Sequence, residues 1–227
     1  SYNLATRTGD QSISYMRFAT TLYQFPLGLV VTALSVATLP TLARQANDQL
    51  ALFKQTLSEG VRLVITLILP ATAGLFALAV PIVALLFEHG EFTAQDTSTT
   101  ALVLRVYLFG LPFAAVDQML VFSSYARKDT LRPALVGVIS IVIYSITAVV
   151  LLRPLGLLSL MVADGVKHIV HTLMMVWVVR DQIGGLRGYG ISKTVIKSTI
   201  AALVTGSAAF IVSSFVVANF ELSGFSQ

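Results

Sequence analysis

The sequence contains no cysteine among its 227 residues, and it has only three histidines and one tryptophan. Without cysteine there is no disulfide framework, no thiolate zinc cluster and no thiol nucleophile. Charge is scarce as well, because Asp, Glu, Lys and Arg make up 11% of the residues, whereas soluble domains carry about 25%. So few charges could not cover the surface of a water-soluble globule, and we therefore predict an integral membrane protein.

Motifs of the common enzyme classes are also missing from the sequence. It has no glycine-rich phosphate loop, no His-Glu-x-x-His and no Gly-x-Ser-x-Gly. The net charge of +4 would suggest nucleic acid as a partner of a soluble protein. In an apolar chain the distribution of cations between apolar runs matters more than their sum. We therefore predict that the protein is not an enzyme, has no cofactor or metal, and binds no nucleic acid.

Hydrophobic residues, 56% of the chain, are concentrated in long unbroken runs. A helix needs about 20 apolar residues to cross the hydrocarbon core, whereas barrel strands are shorter and alternate in polarity. The sequence therefore predicts an all-α membrane protein with six transmembrane helices, over residues 15–43, 61–87, 99–125, 134–152, 157–179 and 195–220.

These runs also predict the domain organisation. Residues 15–179 are expected to form a bundle of five helices, followed by a cytoplasmic loop over 180–194 and an additional C-terminal helix over 195–220. The flanking residues, 1–14 and 221–227, are predicted to be extracytoplasmic. Because the chain starts without an initiator methionine or a signal peptide, we expect it to be a piece of a longer polypeptide.

The orientation follows from the basic residues between the runs. The first, third and fifth loops with their helix ends carry ten Lys and Arg residues, against three on the opposite side. This positive-inside bias places both ends of the chain away from the cytoplasm. Residues 47–59, with Leu50, Phe53 and Leu57 at helical spacing, are interpreted either as an amphipathic surface helix or as a plain polar connector.

Prolines interrupt three of the predicted helices. Membrane helices tolerate proline as a kink, because neighbouring groups satisfy the freed carbonyl. The kinks could serve only the shape of the bundle, or they could be hinges for alternating access. The hinge candidates are Pro26, Pro70 and Pro112.

Two ionisable residues lie inside the third predicted helix, where charge is costly. Arg105 is about 9 Å from the outer end, so its side chain could reach the interface or contact a substrate. Asp117 is about 12 Å from the inner end, too deep for a short carboxylate to reach the headgroups. It must face a polar cavity, pair with a cation or be protonated.

The fifth predicted helix carries a denser cluster, made of Asp164, Lys167, His168 and His171. These positions share one helical face, which therefore looks into a bundle or a cavity rather than at lipid. Three interpretations remain open: a neutralised structural ion pair, a proton or ion relay, and a metal site built on the aspartate and both histidines.

Three sequence blocks, in this order and spacing, resemble the MurJ (MviN) family. They are Leu22-Tyr23-Gln24-Phe25-Pro26-Leu27-Gly28 with Leu39-Pro40-Thr41-Leu42, then Leu69-Pro70-Ala71-Thr72-Ala73-Gly74-Leu75 with Leu85-Leu86-Phe87-Glu88-His89-Gly90-Glu91-Phe92-Thr93, then Tyr107-Leu108-Phe109-Gly110-Leu111-Pro112 with Tyr125-Ala126-Arg127-Lys128-Asp129-Thr130.

The resemblance implies a flippase of the bacterial cytoplasmic (inner) membrane that translocates lipid II, the undecaprenyl-linked peptidoglycan precursor. It implies a MATE-like fold of fourteen helices in two lobes, of which the six spans here resemble the eighth to the thirteenth, the second lobe. Membrane lipids and cell-wall synthesis proteins would be further partners. Transport would be coupled to the membrane potential or to an ion.

The sequence departs from the family pattern at one position that matters. Where the family commonly carries Asp-Arg, and the arginine is thought to hold the anionic headgroup, this chain has Thr20-Thr21. A hydroxyl pair can hydrogen-bond a pyrophosphate but cannot neutralise it. The missing charge would come from outside the chain or from Arg105 or Lys167, or the substrate differs.

Other functions remain open from the sequence alone. A flippase or exporter of another lipid-linked oligosaccharide or drug would share the superfamily. A membrane-embedded enzyme acting on the same lipids would use the acidic residues of the outer loop as its catalytic groups. A scaffold of cell-wall synthesis would tolerate neutralisation of every buried charge. The acidic loop residues are Glu88, Glu91 and Asp96.

Overall fold

A computed structural model describes residues 12–224 of the chain, and the side chains of residues 13–215. Of the predicted extracytoplasmic ends, residues 1–11 and 225–227 lie outside the described residues, whereas residues 12–14 and 221–224 belong to the first and last helices. All regular secondary structure within residues 12–224 is helical. The elements are α1 (Ser12–Pro26), a π-helical segment (Leu27–Thr32), α2 (Ala33–Gln45), α3 (Leu50–Ala77), α4 (Ala79–Phe87), α5 (Ala94–Leu108), α6 (Leu111–Ala126), α7 (Leu131–Leu155), α8 (Leu158–Ile183) and α9 (Ile191–Gly224).

The predicted membrane spans correspond to these helices. Five are long and apolar enough to cross a membrane, and α5 with α6 makes a sixth when the two are counted as one span bent by 44°. The first span is continuous from Ile13 to Gln45 through the π-helical segment. The predicted all-α fold is therefore confirmed, with one broken helix among its spans.

The boundaries of the second predicted span were wrong at its cytoplasmic end. Helix α3 begins at Leu50, so residues 50–59 are its first turns rather than a separate helix on the membrane surface. Phe53 and Leu57 are fully buried, because their apolar face continues directly into the face that packs inside the bundle. At the other end α3 stops at Ala77, and the chain continues as the short helix α4 after Leu78.

The three candidate hinge prolines occupy different local structures. Pro26 directly precedes the π-helical segment, and Pro112 lies in the first turn of α6, after the bend at Phe109 and Gly110. Proline is well accommodated in a first turn, where its missing N–H has no intrahelical partner to lose. Pro70 instead lies inside the continuous helix α3. A hinge function stays a prediction for all three.

The π-helical segment resets the buried face of the first span. Before it, Met16, Ala19, Tyr23 and Pro26 are buried at steps of three or four residues, and the next buried residue, Val31, follows after a step of five. A π-helical turn holds one more residue than an α-helical turn. The wide turn thus keeps one side of this long helix against the bundle.

Helix α8 lies at the centre of the packing, against α5, α6 and α7, whereas α9 packs along α3. The face of α7 that points away from α8 is apolar and exposed, as expected for a surface in contact with lipid. The fully buried side chains that join these helices include Phe53, Leu104, Leu111, Met119, Leu160 and Met175.

Polar contacts tie the predicted cytoplasmic ends of the helices together. The Arg132 guanidinium donates to Asp181 at 2.8 Å, linking the start of α7 to the end of α8. The Gln182 amide donates to Asp129 at 2.7 Å, and Arg127 donates to the Ala46 carbonyl at 3.0 Å. Three residues that follow α6 therefore hold the loops on this face together, namely Arg127, Asp129 and Arg132.

The topology can be tested with cysteines, since the chain has none of its own. Gln95 and Ser192 are exposed at opposite ends of the bundle. We expect Gln95→Cys to react with a membrane-impermeant maleimide added outside, and Ser192→Cys to react only after the membrane is permeabilised. Ile141→Cys, on the exposed apolar face of α7, is the matched control and should stay unlabelled. Labelling of both loop positions from one side would contradict the orientation.

Candidate functional site

The polar face of α8 forms an ion-paired cluster with Asp164 at its centre. One carboxylate oxygen accepts a hydrogen bond from the Lys167 ammonium, and the other lies 3.5 Å from His168 Nε2. The Lys167 ammonium also lies 5.9 Å from the ring centroid of Tyr144 on α7, close enough for a cation–π contact. The three α8 side chains keep 19–26% of their surface exposed. The charges are thus neutralised locally in a partly open site.

His171, the fourth residue of the predicted stripe, pairs with a different helix. Its Nδ1 lies 2.6 Å from the Asp117 carboxylate on α6, and the two side chains are 16% and 13% exposed. The sequence indicated that Asp117 needs a partner or a cavity, but it did not predict His171. Spacing along one helix cannot reveal a contact between two helices, and Asp117 and His171 are 54 residues apart in the chain.

Two further contacts hold α6 against α8 close to this pair. The Thr172 hydroxyl donates to the Phe113 carbonyl at 2.9 Å. Gly110, at the bend before α6, lies so close to α8 that a Cβ added to it would be 3.1 Å from Gly165 Cα. Small residues allow such close helix contacts inside membranes. The Asp117–His171 pair therefore lies beside a tightly packed crossing of α6 and α8.

An unpartnered polar group faces the same interior from α1. The Tyr23 ring is 8% exposed and contacts the Tyr107 ring of α5, with centroids 5.7 Å apart. Its hydroxyl makes no hydrogen bond to any described residue. A buried hydroxyl without a partner is costly, so its position calls for a water molecule or another ligand. The sequence analysis did not identify Tyr23 as a site residue.

Arg105 is placed elsewhere, between α5 and the end of α3. Its Nε donates to the Phe76 carbonyl at 3.1 Å, and its guanidinium lies 5.5 Å from the centre of the Phe76 ring. The side chain lines an apolar cavity of about 740 Å³ bounded by α3, α5 and α9. It is therefore not part of the α8 cluster.

Thr20 and Thr21 hydrogen-bond within their own helix. The Thr20 hydroxyl donates to the Met16 carbonyl at 2.7 Å, and the Thr21 hydroxyl donates to the Arg17 carbonyl at 2.9 Å. Their contact with a headgroup, predicted from the family resemblance, stays a prediction.

Two acidic residues of the outer loop, Asp96 and Glu88, accept hydrogen bonds at the start of α5. The Thr93 N–H donates to Asp96 at 2.8 Å, while the Asp96 N–H donates back to the Thr93 hydroxyl at 3.3 Å. The Tyr15 hydroxyl donates to the other Asp96 oxygen at 2.6 Å. Glu88 accepts from the Thr97 hydroxyl at 2.6 Å. The reciprocal Thr93–Asp96 bonds form a capping box. The bonds of Tyr15 and Glu88 tie α1 and the end of α4 to α5.

The predicted alternative of a metal site on α8 is not supported by the part of the chain that the structure describes. Within it, no group of three or more His, Asp or Glu side chains is placed to hold a metal ion. The reason at the α8 cluster is that His171 turns toward Asp117, whereas Asp164 is occupied by Lys167 and His168.

Known proteins are similar to this chain in sequence and in fold. The family model of the lipid II flippase MurJ matches residues 1–225. A probable lipid II flippase MurJ of Bdellovibrio bacteriovorus is 31% identical over 198 residues, which cover 87% of this chain and 38% of that protein. The lipid II flippase MurJ of Burkholderia cenocepacia is 27% identical over 174 residues, which cover 76% of this chain and 34% of that protein. The chain thus spans about a third of the length of these curated relatives.

The fold matches a solved structure of a lipid II flippase MurJ in an inward closed conformation. The TM-score is 0.75, at 21% sequence identity, over 97% of this chain and 50% of that chain. This match confirms the predicted fold, a helical lobe that is about half of a two-lobe flippase. The resemblance stated from the three sequence blocks is confirmed as well. The chain belongs to the lipid II flippase MurJ family, whose members are multi-pass proteins of the bacterial inner membrane.

Proposed function

We propose that the protein containing this chain is a flippase that moves lipid II across the inner membrane by alternating access. The family membership supports this proposal. Because the chain spans about a third of its curated relatives, the activity belongs to the whole protein, to which this lobe contributes one half of a moving pair. The charged headgroup would cross in a polar cavity while the polyprenyl tail stays in lipid.

The observation that carries the proposal is the position of two helix interruptions beside the buried charges. The first span is widened at residues 27–32, and the α5–α6 span is bent by 44° in the middle of its length. Discontinuous helices around a polar site near the midplane are typical of secondary transporters. Backbone of this kind is stable in a membrane only where protein or a polar cavity satisfies it.

The charged groups suggest how such a lobe limits the electrostatic cost of transport. Lys167 and Asp164 neutralise each other, so this pair adds little net charge to the site. An anionic headgroup that enters the cavity would compete with Asp164 for the Lys167 ammonium. The exchange replaces one ion pair with another, which costs far less than moving a bare phosphate through hydrocarbon.

No covalent step and no cofactor are needed for this function. Asp96 caps α5 and Glu88 accepts a hydrogen bond from the Thr97 hydroxyl, and these structural contacts support transport over catalysis at the outer loop. Energy would come from the membrane potential or from a coupled ion. The proton is our choice of ion, because an imidazole lies beside each of the carboxylates Asp117 and Asp164, and imidazole and carboxylate can exchange a proton.

Asp117→Asn in the intact protein tests this proposal. We expect it to reduce lipid II flipping by about tenfold or more, because loss of a hydrogen bond to a charged group costs about 1.5–3 kcal/mol. Complementation of a depletion strain and a flipping assay in vesicles measure the effect. Asp48→Asn, at an exposed loop carboxylate, is the matched control and should behave like the unmodified protein.

The same assay tests proton coupling. His168→Gln combined with His171→Gln should flatten the dependence of flipping on pH, because it removes both imidazoles from the site. Normal flipping by Asp117→Asn would remove this pair from the mechanism. An unchanged pH profile of the histidine variant would exclude a proton relay through these residues.

A further inference from the structure

A second cavity, separate from the polar cluster, opens at the predicted cytoplasmic end of the bundle. It has a volume of about 990 Å³ and is enclosed by α3, α6, α8 and the first turns of α9. Its walls are mainly apolar, with Val61, Ile65, Leu120 and Val176 among the lining side chains. Ligand pockets of this size hold molecules of several hundred daltons. Nothing in the proposed flipping mechanism uses this cavity.

The depth of the cavity corresponds to one leaflet of a bilayer. Its lining residues on α8 run from Thr172 to Gly184 at the end of the helix, a distance of about 18 Å at 1.5 Å per residue. Half of a hydrocarbon core of about 30 Å is about 15 Å. The cavity therefore extends from the cytoplasmic surface to the middle of the membrane, where Pro112 closes it.

The mouth of the cavity is positively charged. Arg180, Arg187 and Lys193 line it, and no lining residue is acidic. In the described part of the chain, none of these three cations forms a salt bridge with a carboxylate. Lys54 and Arg62 of α3 add two more cations next to the glycine-rich turn of residues 184–190. The apolar part of the cavity, here called the shaft, thus ends among Arg180, Arg187 and Lys193, which have no carboxylate partner in the described residues.

We propose that this cavity binds an anionic phospholipid of the cytoplasmic leaflet. Its phosphate would lie among Arg180, Arg187 and Lys193, and an acyl chain would fill the shaft. The occupant must be amphiphilic, because a free anion would leave the apolar walls uncovered and a neutral lipid would leave the cations unpaired. A chain of one leaflet's length favours a glycerophospholipid over a polyprenyl lipid, whose tail is longer than a leaflet. Basic pockets between membrane helices are known to recognise such headgroups.

Binding can be measured on the intact purified protein by native mass spectrometry. The probes are dioleoyl phosphatidylglycerol, dioleoyl phosphatidylcholine, undecaprenyl phosphate and free glycerol phosphate. We expect phosphatidylglycerol to bind about tenfold or more tightly than phosphatidylcholine, and glycerol phosphate not to compete. Arg180→Gln, Arg187→Gln and Lys193→Gln together should abolish this preference, because each cation near a headgroup contributes about fivefold in affinity.

Four further variants separate the cavity from the general positive charge of the cytoplasmic face and from the effect of added side-chain size. Arg44→Gln with Lys128→Gln removes exposed cytoplasmic cations outside the cavity, and it should leave the preference for phosphatidylglycerol intact. Val176→Phe should narrow the shaft and weaken binding of phosphatidylglycerol. Leu120→Phe on the opposite wall serves the same purpose if Val176→Phe does not fold. Val150→Phe, on the exposed face of α7, is the control for added size.

Each remaining outcome decides against the proposal. An equal loss of preference in the Arg44 and Lys128 variant would mean that diffuse surface charge, not the cavity, attracts the lipid. Full binding of phosphatidylglycerol by Val176→Phe and by Leu120→Phe would mean that the shaft is not the lipid site. This result is expected if another segment of the polypeptide fills the shaft. Competition by glycerol phosphate would identify an anion site, and tighter binding of undecaprenyl phosphate would assign the cavity to the transported lipid.

Discussion

Asp164→Asn is expected to destabilise the intact protein by about 3 kcal/mol, and the additional change Lys167→Met should restore most of that loss. The single change leaves the Lys167 ammonium in the bundle interior without its carboxylate partner, and breaking a buried ion pair costs about 3–5 kcal/mol. We use the lower end of this energy range because the Asp164 and Lys167 side chains keep 19% and 26% of their surface exposed. Thermal unfolding in detergent micelles measures the shift.

A second ion pair in the same protein provides the control for this experiment. Arg132 and Asp181 pair at 2.8 Å on the cytoplasmic surface, with side chains 48% and 56% exposed. Asp181→Asn should therefore cost less than about 1 kcal/mol. We expect the Asp164 and Lys167 double variant to fold but to flip lipid II poorly. If it folds and flips normally, the α8 pair is structural only, and transport depends on other residues.

Gly110→Ala is expected to cost about 1–3 kcal/mol and to disturb the crossing of α6 and α8. The new Cβ would lie 3.1 Å from Gly165 Cα, and a backbone atom cannot rotate away as a side-chain methyl can. Overpacking of a filled interior has a cost of this size. Because the Asp117–His171 pair lies on the same two helices, flipping should fall together with thermal stability in this variant.

The reciprocal substitution separates close packing from the general effect of losing a glycine. A Cβ on Gly165 would approach no atom of the neighbouring helices more closely than the Gly110 nitrogen at 4.0 Å. Gly165→Ala should thus be neutral or slightly stabilising, since alanine favours helix more than glycine does. Equal losses of stability in the two variants would contradict the contact geometry.

The spans could be predicted from the sequence because long apolar runs have few alternatives in a membrane. The helix boundaries were harder to predict where a helix begins with amphipathic turns and continues with fully apolar ones, as α3 does. Phe53 and Leu57 carry the periodicity of a surface helix, yet they are buried as the first turns of α3. Periodicity identifies an apolar face, but it does not say whether lipid headgroups or another helix covers that face.

The candidate site divides in the same way between local and distant contacts. The pairing of Asp164 with Lys167 and His168 followed from offsets of three and four residues on one helix. The Asp117–His171 pair and the Gly110–Gly165 contact depend on how α6 crosses α8, which no spacing within one helix encodes. Tyr23 was missed because nothing in its local sequence marks its hydroxyl as lacking a partner.

The wide turn at residues 27–32 has a consequence for insertions and deletions in this helix. The buried residues before and after the wide turn are out of phase by one residue with respect to a regular α-helix. Removing one residue there would let this segment close as regular α-helical turns, with Pro26 and Val31 four residues apart and both halves still facing the bundle. Removing one residue from the regular turns on either side would instead rotate one half of the span by about 100°, because an α-helix has 3.6 residues per turn. A relative that is one residue shorter between Pro26 and Val31 should therefore have a regular helix here, so gaps at these positions carry structural information.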